Sequence, residues 1–105
     1  MKKRQQAKIL ITGAGGNVGM ALYNYIKVLN PIGVTFEPKL EKTDLIDIDL
    51  RKKKDVKQLF NQFKPNIIFH LAALTNPEVN DKNIKLAHET NVGITQNIVS
   101  NMKSN

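Results

Sequence analysis

The chain has 105 residues, a length that suits one domain around one core, and its 41% hydrophobic content excludes a globally disordered polymer. It contains no cysteine, which excludes disulfides, thiol nucleophiles and cysteine metal sites, and no apolar run approaches the ~20 residues of a membrane span. The net charge of +7 raises nucleic-acid binding as a function class, to be weighed against where the basic residues fall.

Residues 1–7 read as a basic tail carrying Lys2, Lys3 and Arg4. They resemble the charged start of an export signal, but Gln5, Gln6 and Lys8 stand where an apolar segment should follow, so a cytoplasmic home is expected. Residues 9–12 are a short apolar run bounded by glycine, read as a buried strand. Over residues 17–30, Val18, Ala21, Leu22, Tyr25, Ile26 and Leu29 recur at helical spacing, and Asn30-Pro31 with Gly33 ends that helix. Residues 34–37 read as a second strand broken by Pro38, and residues 45–50 as a third, with Leu45, Ile46, Ile48 and Leu50 among aspartates.

A helix is expected over residues 52–63, with Val56, Leu59, Phe60 and Phe63 on one face and Lys64-Pro65-Asn66 as its stop. Residues 67–71 are a fourth strand, apolar enough for burial on both faces. Residues 75–81 read as loop. A last helix spans about residues 83–102, its stripe formed by Ile84, Ala87, Asn91, Ile94 and Ile98. Strands alternating with helices predict one α/β domain over residues 1–105: a three-layer Rossmann-like parallel sheet in the order 3-2-1-4, with helices on both faces.

The glycines between the first strand and first helix carry the chemistry. Gly13 makes the tight turn, Gly16 lets a backbone approach phosphate, and Gly19 lets helix and strand pack closely. Asn17 and Val18 open the helix, whose N-terminus favours negative charge. That is the arrangement a dinucleotide pyrophosphate requires. Such a site also needs an acid after the second strand for the adenosine ribose hydroxyls, and Glu37 lies 24 residues beyond Gly13. A carboxylate there favours NAD, with NADP as the alternative because Lys39 is nearby; the other reading of Glu37 is an ordinary exposed loop residue.

Thr12-Gly13-x-x-Gly16-x-x-Gly19, then Asp49-Leu50-Arg51, then His70-Leu71-Ala72-Ala73 resemble the extended short-chain dehydrogenase/reductases. Within them, the NAD-dependent epimerase/dehydratases and dehydrorhamnose reductases of nucleotide-sugar metabolism are the similar groups. The resemblance implies that Asp49 hydrogen-bonds the adenine amino group while Leu50 packs on the ring. It implies that Leu71, Ala72 and Ala73 pass under the cofactor, and it gives His70 no catalytic part. The residues themselves leave another reading of Asp49, a cap on the following helix, and Asp47 falls on the same strand face by alternation.

Asn91 is polar on an apolar stripe and needs a hydrogen-bond partner, either a neighbouring strand or, by the resemblance, the region near the cofactor. The family pattern Asn-Val-x-Gly-Thr here reads Asn91-Val92-Gly93-Ile94-Thr95, with Ile94 in place of the glycine. Tyr23-x-x-x-Lys27 matches the family's catalytic Tyr-x-x-x-Lys in letters, but its place on the first helix, opposite the apolar stripe and toward solvent, argues against that role. His70 and His88 stand in separate elements without a ligand cluster, so no metal is expected, and His88 reads as a surface residue.

In the family, the catalytic Ser/Thr and Tyr-x-x-x-Lys follow the fourth strand and its helix. The expectation is therefore a truncated cofactor-binding part with no catalytic residues of its own. Its fourth strand would be a sheet edge that pairs with another copy, or with a complementary C-terminal chain. The alternatives are a non-catalytic nucleotide-sensing or interaction module and a nucleic-acid binder. Against the last, no aromatic residue interleaves with the basic run of Arg51, Lys52, Lys53, Lys54 and Lys57, which reads as a solvated helix face.

Overall fold

The computed structural model describes residues 7–36, 44–72 and 81–102, apart from the side chains of residues 81–84, 86 and 87. Four strands, β1 (Ile9–Thr12), β2 (Ile32–Thr35), β3 (Ile46–Asp47) and β4 (Ile67–His70), form one parallel sheet in the order β3-β2-β1-β4. Helices α1 (Asn17–Tyr25), α2 (Lys53–Phe63) and α3 (Asp81–Met102) complete the fold, with a 3-10 turn at Lys27–Leu29. The architecture and strand order are those the alternating pattern predicts. No helix among the described residues is long and apolar enough to cross a membrane.

Side-chain alternation along each strand sorts the core into two layers. On one face Leu10, Val34 and Ile68 meet Val56, Leu59 and Phe60 of α2 and Ile94 and Ile98 of α3. On the other, Ile9, Ile11 and Ala14 pack with Tyr23 of α1 and Leu45. Lys64, in the left-handed region at φ 48°, ends α2, and Asn66 then clamps the start of β4 to β1. Its Oδ1 accepts the Lys8 N–H at 2.8 Å, and its N–H donates to the Lys8 carbonyl at 2.9 Å.

The first helix differs from its expected form. It ends at Tyr25 rather than residue 30, followed by the 3-10 turn and Asn30 in the left-handed conformation. Its buried line is Gly19 and Tyr23, flanked by Met20, Leu22 and Ile26, while Val18, Tyr25 and Leu29 of the expected stripe are exposed. Gly33 lies inside β2 rather than in a helix stop. A Cβ there would fall 2.8 Å from the Tyr23 ring and 2.6 Å from Leu45, so the bare glycine makes room for the aromatic. Tyr23 is thus a core residue and does not face solvent, correcting the expectation drawn from spacing.

Two strands are displaced or shortened. The second begins at Ile32 and ends at Thr35, two residues earlier than predicted, and the third is only Ile46–Asp47 rather than 45–50. The fourth is not buried on both faces. Ile67 and Phe69 are paired beside Ile9 and Ile11, on the α1 face, but sit 42% and 41% exposed because α1 does not reach across to this edge.

Candidate functional site

Because every strand runs the same way, the β1, β2, β3 and β4 exits lie along one end of the sheet, where α/β folds place ligands. The turn after β1 is built there. Gly13 has φ 69°, in the left-handed region, and a Cβ on it would lie 2.7 Å from the Ala72 N and the Leu71 carbonyl carbon. Gly15 abuts Thr35 at the end of β2, where a Cβ would be 2.6 Å from the Thr35 Oγ1. Gly19 lies over Gly13 and Ala14, so that α1 packs backbone to backbone on the turn.

Gly16 differs from these three. A Cβ there would meet only the Gly13 carbonyl oxygen, at an ordinary 3.5 Å. Packing therefore does not demand a glycine at residue 16, which stands exposed at the N-cap of α1. No side chain caps that end, and of the first-turn residues Asn17 and Val18 are exposed while Gly19 is buried against the turn.

At the β3 exit, Asp49 and Arg51 form a bidentate pair. Arg51 Nε donates to Asp49 Oδ1 and Nη2 to Oδ2, both at 2.9 Å, and the Arg51 N–H also donates to Oδ1 at 3.0 Å. The hydrogen bonds from Arg51 hold the Asp49 carboxyl below its ordinary range, against the opposing effect of burial. Asp49 does not cap α2, whose N-cap is Lys52; it organises the turn before it. The Arg51 guanidinium also lies over the Phe36 ring, 5.0 Å from its centre, joining the β3 and β2 exits. The basic residues that follow, Lys52, Lys53, Lys54 and Lys57, are all exposed.

Leu50 sends its side chain into the core beside Val56 and Ile98, so only its backbone is left at this rim; its carbonyl accepts Asn97 Nδ2 from α3 at 3.0 Å. After β4, Leu71 is 40% exposed and Ala72 is half-buried. Asn91 is half-buried on α3, two turns from Ile98, and Ile94, the residue that departs from the family pattern, fills the core at 7% exposure. Glu37, Lys39 and Ala73 lie outside the described residues, as does the basic tail except Ala7.

A chain of hydrogen bonds through Thr12, His70 and Thr95, residues given no role by sequence reasoning, links the β1 and β4 exits to α3. His70 Nδ1 lies 2.6 Å from Thr12 Oγ1, and His70 Nε2 lies 3.2 Å from Thr95 Oγ1 on α3. The Ala72 N–H donates to Thr12 Oγ1 at 3.1 Å, and the Thr95 hydroxyl donates to the Asn91 carbonyl at 3.0 Å. Burial pushes the His70 imidazole below its ordinary value. Thr12, His70 and Thr95 each stand in a motif quoted from the sequence, but nothing in the sequence showed that they meet. Among the described residues, no three His, Asp or Glu side chains gather as a metal would require.

The NAD dependent epimerase/dehydratase family model matches residues 9–105. Methionine adenosyltransferase 2 subunit beta of Rattus norvegicus is 33% identical over 96 residues, covering 87% of this chain and 27% of the relative. dTDP-4-dehydrorhamnose reductase of Aggregatibacter actinomycetemcomitans is 33% identical over 86 residues, covering 82% of this chain and 27% of that protein. Among solved structures, UDP-glucose 4-epimerase of Thermus thermophilus, a complex with NAD, superposes with a TM-score of 0.78 at 22% identity, over 92% of this chain and 34% of that one. The chain therefore spans about a quarter of the length of the curated relatives it matches.

Proposed function

The chain belongs to the NAD dependent epimerase/dehydratase family, and from that premise we propose that it binds the adenosine and pyrophosphate half of a nicotinamide dinucleotide at the sheet's C-terminal end. Gly16 carries the proposal. It is the one glycine of the turn that packing leaves free to be something else, and it flanks an uncapped helix N-terminus. A side chain there would stand where a pyrophosphate approaches the first-turn N–H groups of Asn17, Val18 and Gly19. Gly13 shapes the turn, Leu71 and Ala72 lie against it, and Ala73 is assigned with them to the cofactor's floor.

The adenine end fits the same reading. Asp49 Oδ1 already accepts two hydrogen bonds from Arg51 whereas Oδ2 accepts one, so Oδ2 keeps a lone pair for an adenine amino group. The Leu50 backbone borders that position, Glu37 is assigned to the ribose hydroxyls, and Asn91 to the cofactor's vicinity. NAD is the preferred form on the strength of Glu37, with NADP the alternative.

When bound, the dinucleotide supplies hydride transfer. The residues of this chain bind and orient it. Tyr23 and Lys27 are not a catalytic pair, since Tyr23 is enclosed in the core. Nucleotide-sugar metabolism and a cytoplasmic location complete the reading.

Calorimetric titration with NAD tests it. Weak, saturable binding that Gly16→Asp abolishes without lowering the melting temperature is expected. No heat at millimolar NAD, or an unaffected variant, overturns it. A second reading, a non-catalytic interaction module, draws on a relative that is named a subunit of another enzyme and on the exposed apolar Ile67 and Phe69. Light scattering that finds no defined oligomer or complex removes that reading.

A further inference from the structure

The hydrogen bonds around His70 have only one consistent direction. A backbone N–H only donates, so Ala72 gives its proton to Thr12 Oγ1. A carbonyl only accepts, so the single hydroxyl proton of Thr95 goes to Asn91. Thr95 Oγ1 must then accept from His70 Nε2, which places the imidazole proton there. His70 Nδ1 is left as an acceptor, and the Thr12 hydroxyl donates to it at 2.6 Å. Each proton is used once, and only by a neutral imidazole.

A second proton on His70 breaks this order. It would occupy Nδ1, facing the proton that Thr12 already offers. Thr12 is fully buried, so its hydroxyl would have to turn away from the ring with no water to receive it. Thr12 is also what holds the segment after β4: its carbonyl accepts the Leu71 N–H at 3.2 Å and its Oγ1 accepts that of Ala72. That segment crosses Gly13 at contact distance.

We infer that neutral His70 is a positioning residue, a latch that holds residues 71–72 against the glycine turn and ties α3 to β4, and that protonating it loosens the floor of the dinucleotide site. The consequence for affinity rests on the function proposed above; the latch itself does not. Apart from His70, residues 9–18 and 65–72 of the β1 and β4 segments contain no ionisable side chain; on α3, Lys85, His88 and Glu89 precede Asn91 and are exposed, with His88 two turns before Thr95. Burial, the cause of the lowered pKa, places the transition on the acid side of the ordinary imidazole value.

Two measurements test the latch. In the first, NMR follows the His70 ring nitrogens and the exchange of the Ala72 amide in the whole chain as pH falls. An Nε2–H tautomer at neutral pH, with Ala72 protection lost as His70 charges, is expected. An Nδ1–H tautomer, or protection indifferent to His70, overturns the latch whether or not any ligand binds. This arm needs no variant.

In the second, NAD affinity is titrated for the wild type and for His70→Asn, whose amide oxygen can replace Nδ1 as acceptor for Thr12. The wild type should lose about tenfold for each pH unit in the window between its bound-state and free-state pKa values. His70→Asn should be flat with pH, and His88→Asn should behave as wild type. Binding with identical pH profiles in wild type and His70→Asn overturns the latch and leaves the proposed function standing. Absent binding with Ala72 protection that tracks His70 does the reverse.

Discussion

Gly19 of α1 rests on Gly13 of the turn so closely that a Cβ on Gly19 would strike the Gly13 carbonyl and come within 2.9 Å of the Ala14 Cα. This contact sets the rotation of the whole helix. Because residue 19 must face the turn, residues 23 and 26 follow it inward at helical spacing, and Val18 and Tyr25 are carried outward. Gly19→Ala has no flexible neighbour to displace, only backbone. A loss of about 1–3 kcal/mol is expected, the usual range for overpacking, measured by chemical denaturation. Wild-type stability in that variant would remove the helix-on-turn contact from the account.

Tyr23 and Lys27 should respond to mutation as a core residue and a surface residue, not as a catalytic pair. Tyr23→Ala removes a ring packed over Gly33 and beside Leu45, and should cost about 3–5 kcal/mol, as large aromatic truncations do. Lys27→Ala, at an exposed position, should stay within about 0.5 kcal/mol of wild type. Thermal or denaturant unfolding of both variants separates the roles.

The fold class was legible because strands and helices alternate with clear apolar runs, and the α2 face of Val56, Leu59 and Phe60 is where its spacing put it. The first helix was misread for a physical reason. Its innermost residue is a glycine, which has no hydrophobicity to register in a periodic pattern, so the larger side chains set the wrong phase. Gly33 hid in the same way, looking like a helix stop when it is a space for Tyr23. The β4 residues are apolar enough for burial, yet burial depends on what lies across the sheet edge, which local composition does not record. At the site, the glycine turn was legible as a motif, but the Arg51–Phe36 contact and the His70 chain join residues far apart in sequence.

The Asp49–Arg51 pair gives a pH prediction with a definite sign. The folded-state pKa of Asp49 is depressed, chiefly by the Arg51 side-chain hydrogen bond. Its contribution to stability is therefore present above the unfolded carboxylate value, near 3.9, and is lost as pH falls through the folded value. Arg51→Gln should lower the melting temperature slightly at neutral pH and flatten its decline in acid, so that variant and wild type converge at low pH. Asp49→Ala should weaken NAD binding by about ten- to a hundredfold, the range for a hydrogen bond to a charged group. Melting curves from pH 7 to pH 3 and calorimetry check the two halves separately.

The open edge of β4 should drive association of the chain. Ile67 and Phe69 present apolar surface beside a row of backbone groups with no strand beyond them among the described residues. Light scattering should find an average mass that rises with concentration. The double variant Ile67→Lys, Phe69→Lys should stay monomeric over the same range. A wild type that remains monomeric throughout would show that the edge is not adhesive.

Gly93 and Ile94 offer the sharpest pair of opposite effects, because the family pattern puts its glycine at the second position and this chain puts it at the first. Ile94 fills the core against α2 and β1, so Ile94→Gly would open a cavity and add a flexible residue to α3. A loss of about 3–5 kcal/mol follows from the two effects together. At Gly93 a Cβ would meet nothing within 4 Å, and the residue sits inside a 22-residue helix. Gly93→Ala should therefore stabilise the protein by about 0.5–1 kcal/mol, by reducing the freedom of the unfolded chain without a steric penalty. Denaturant midpoints for the two variants should move in opposite directions from wild type. A destabilised Gly93→Ala would mean that α3 packs more closely at residue 93 than its open surroundings indicate.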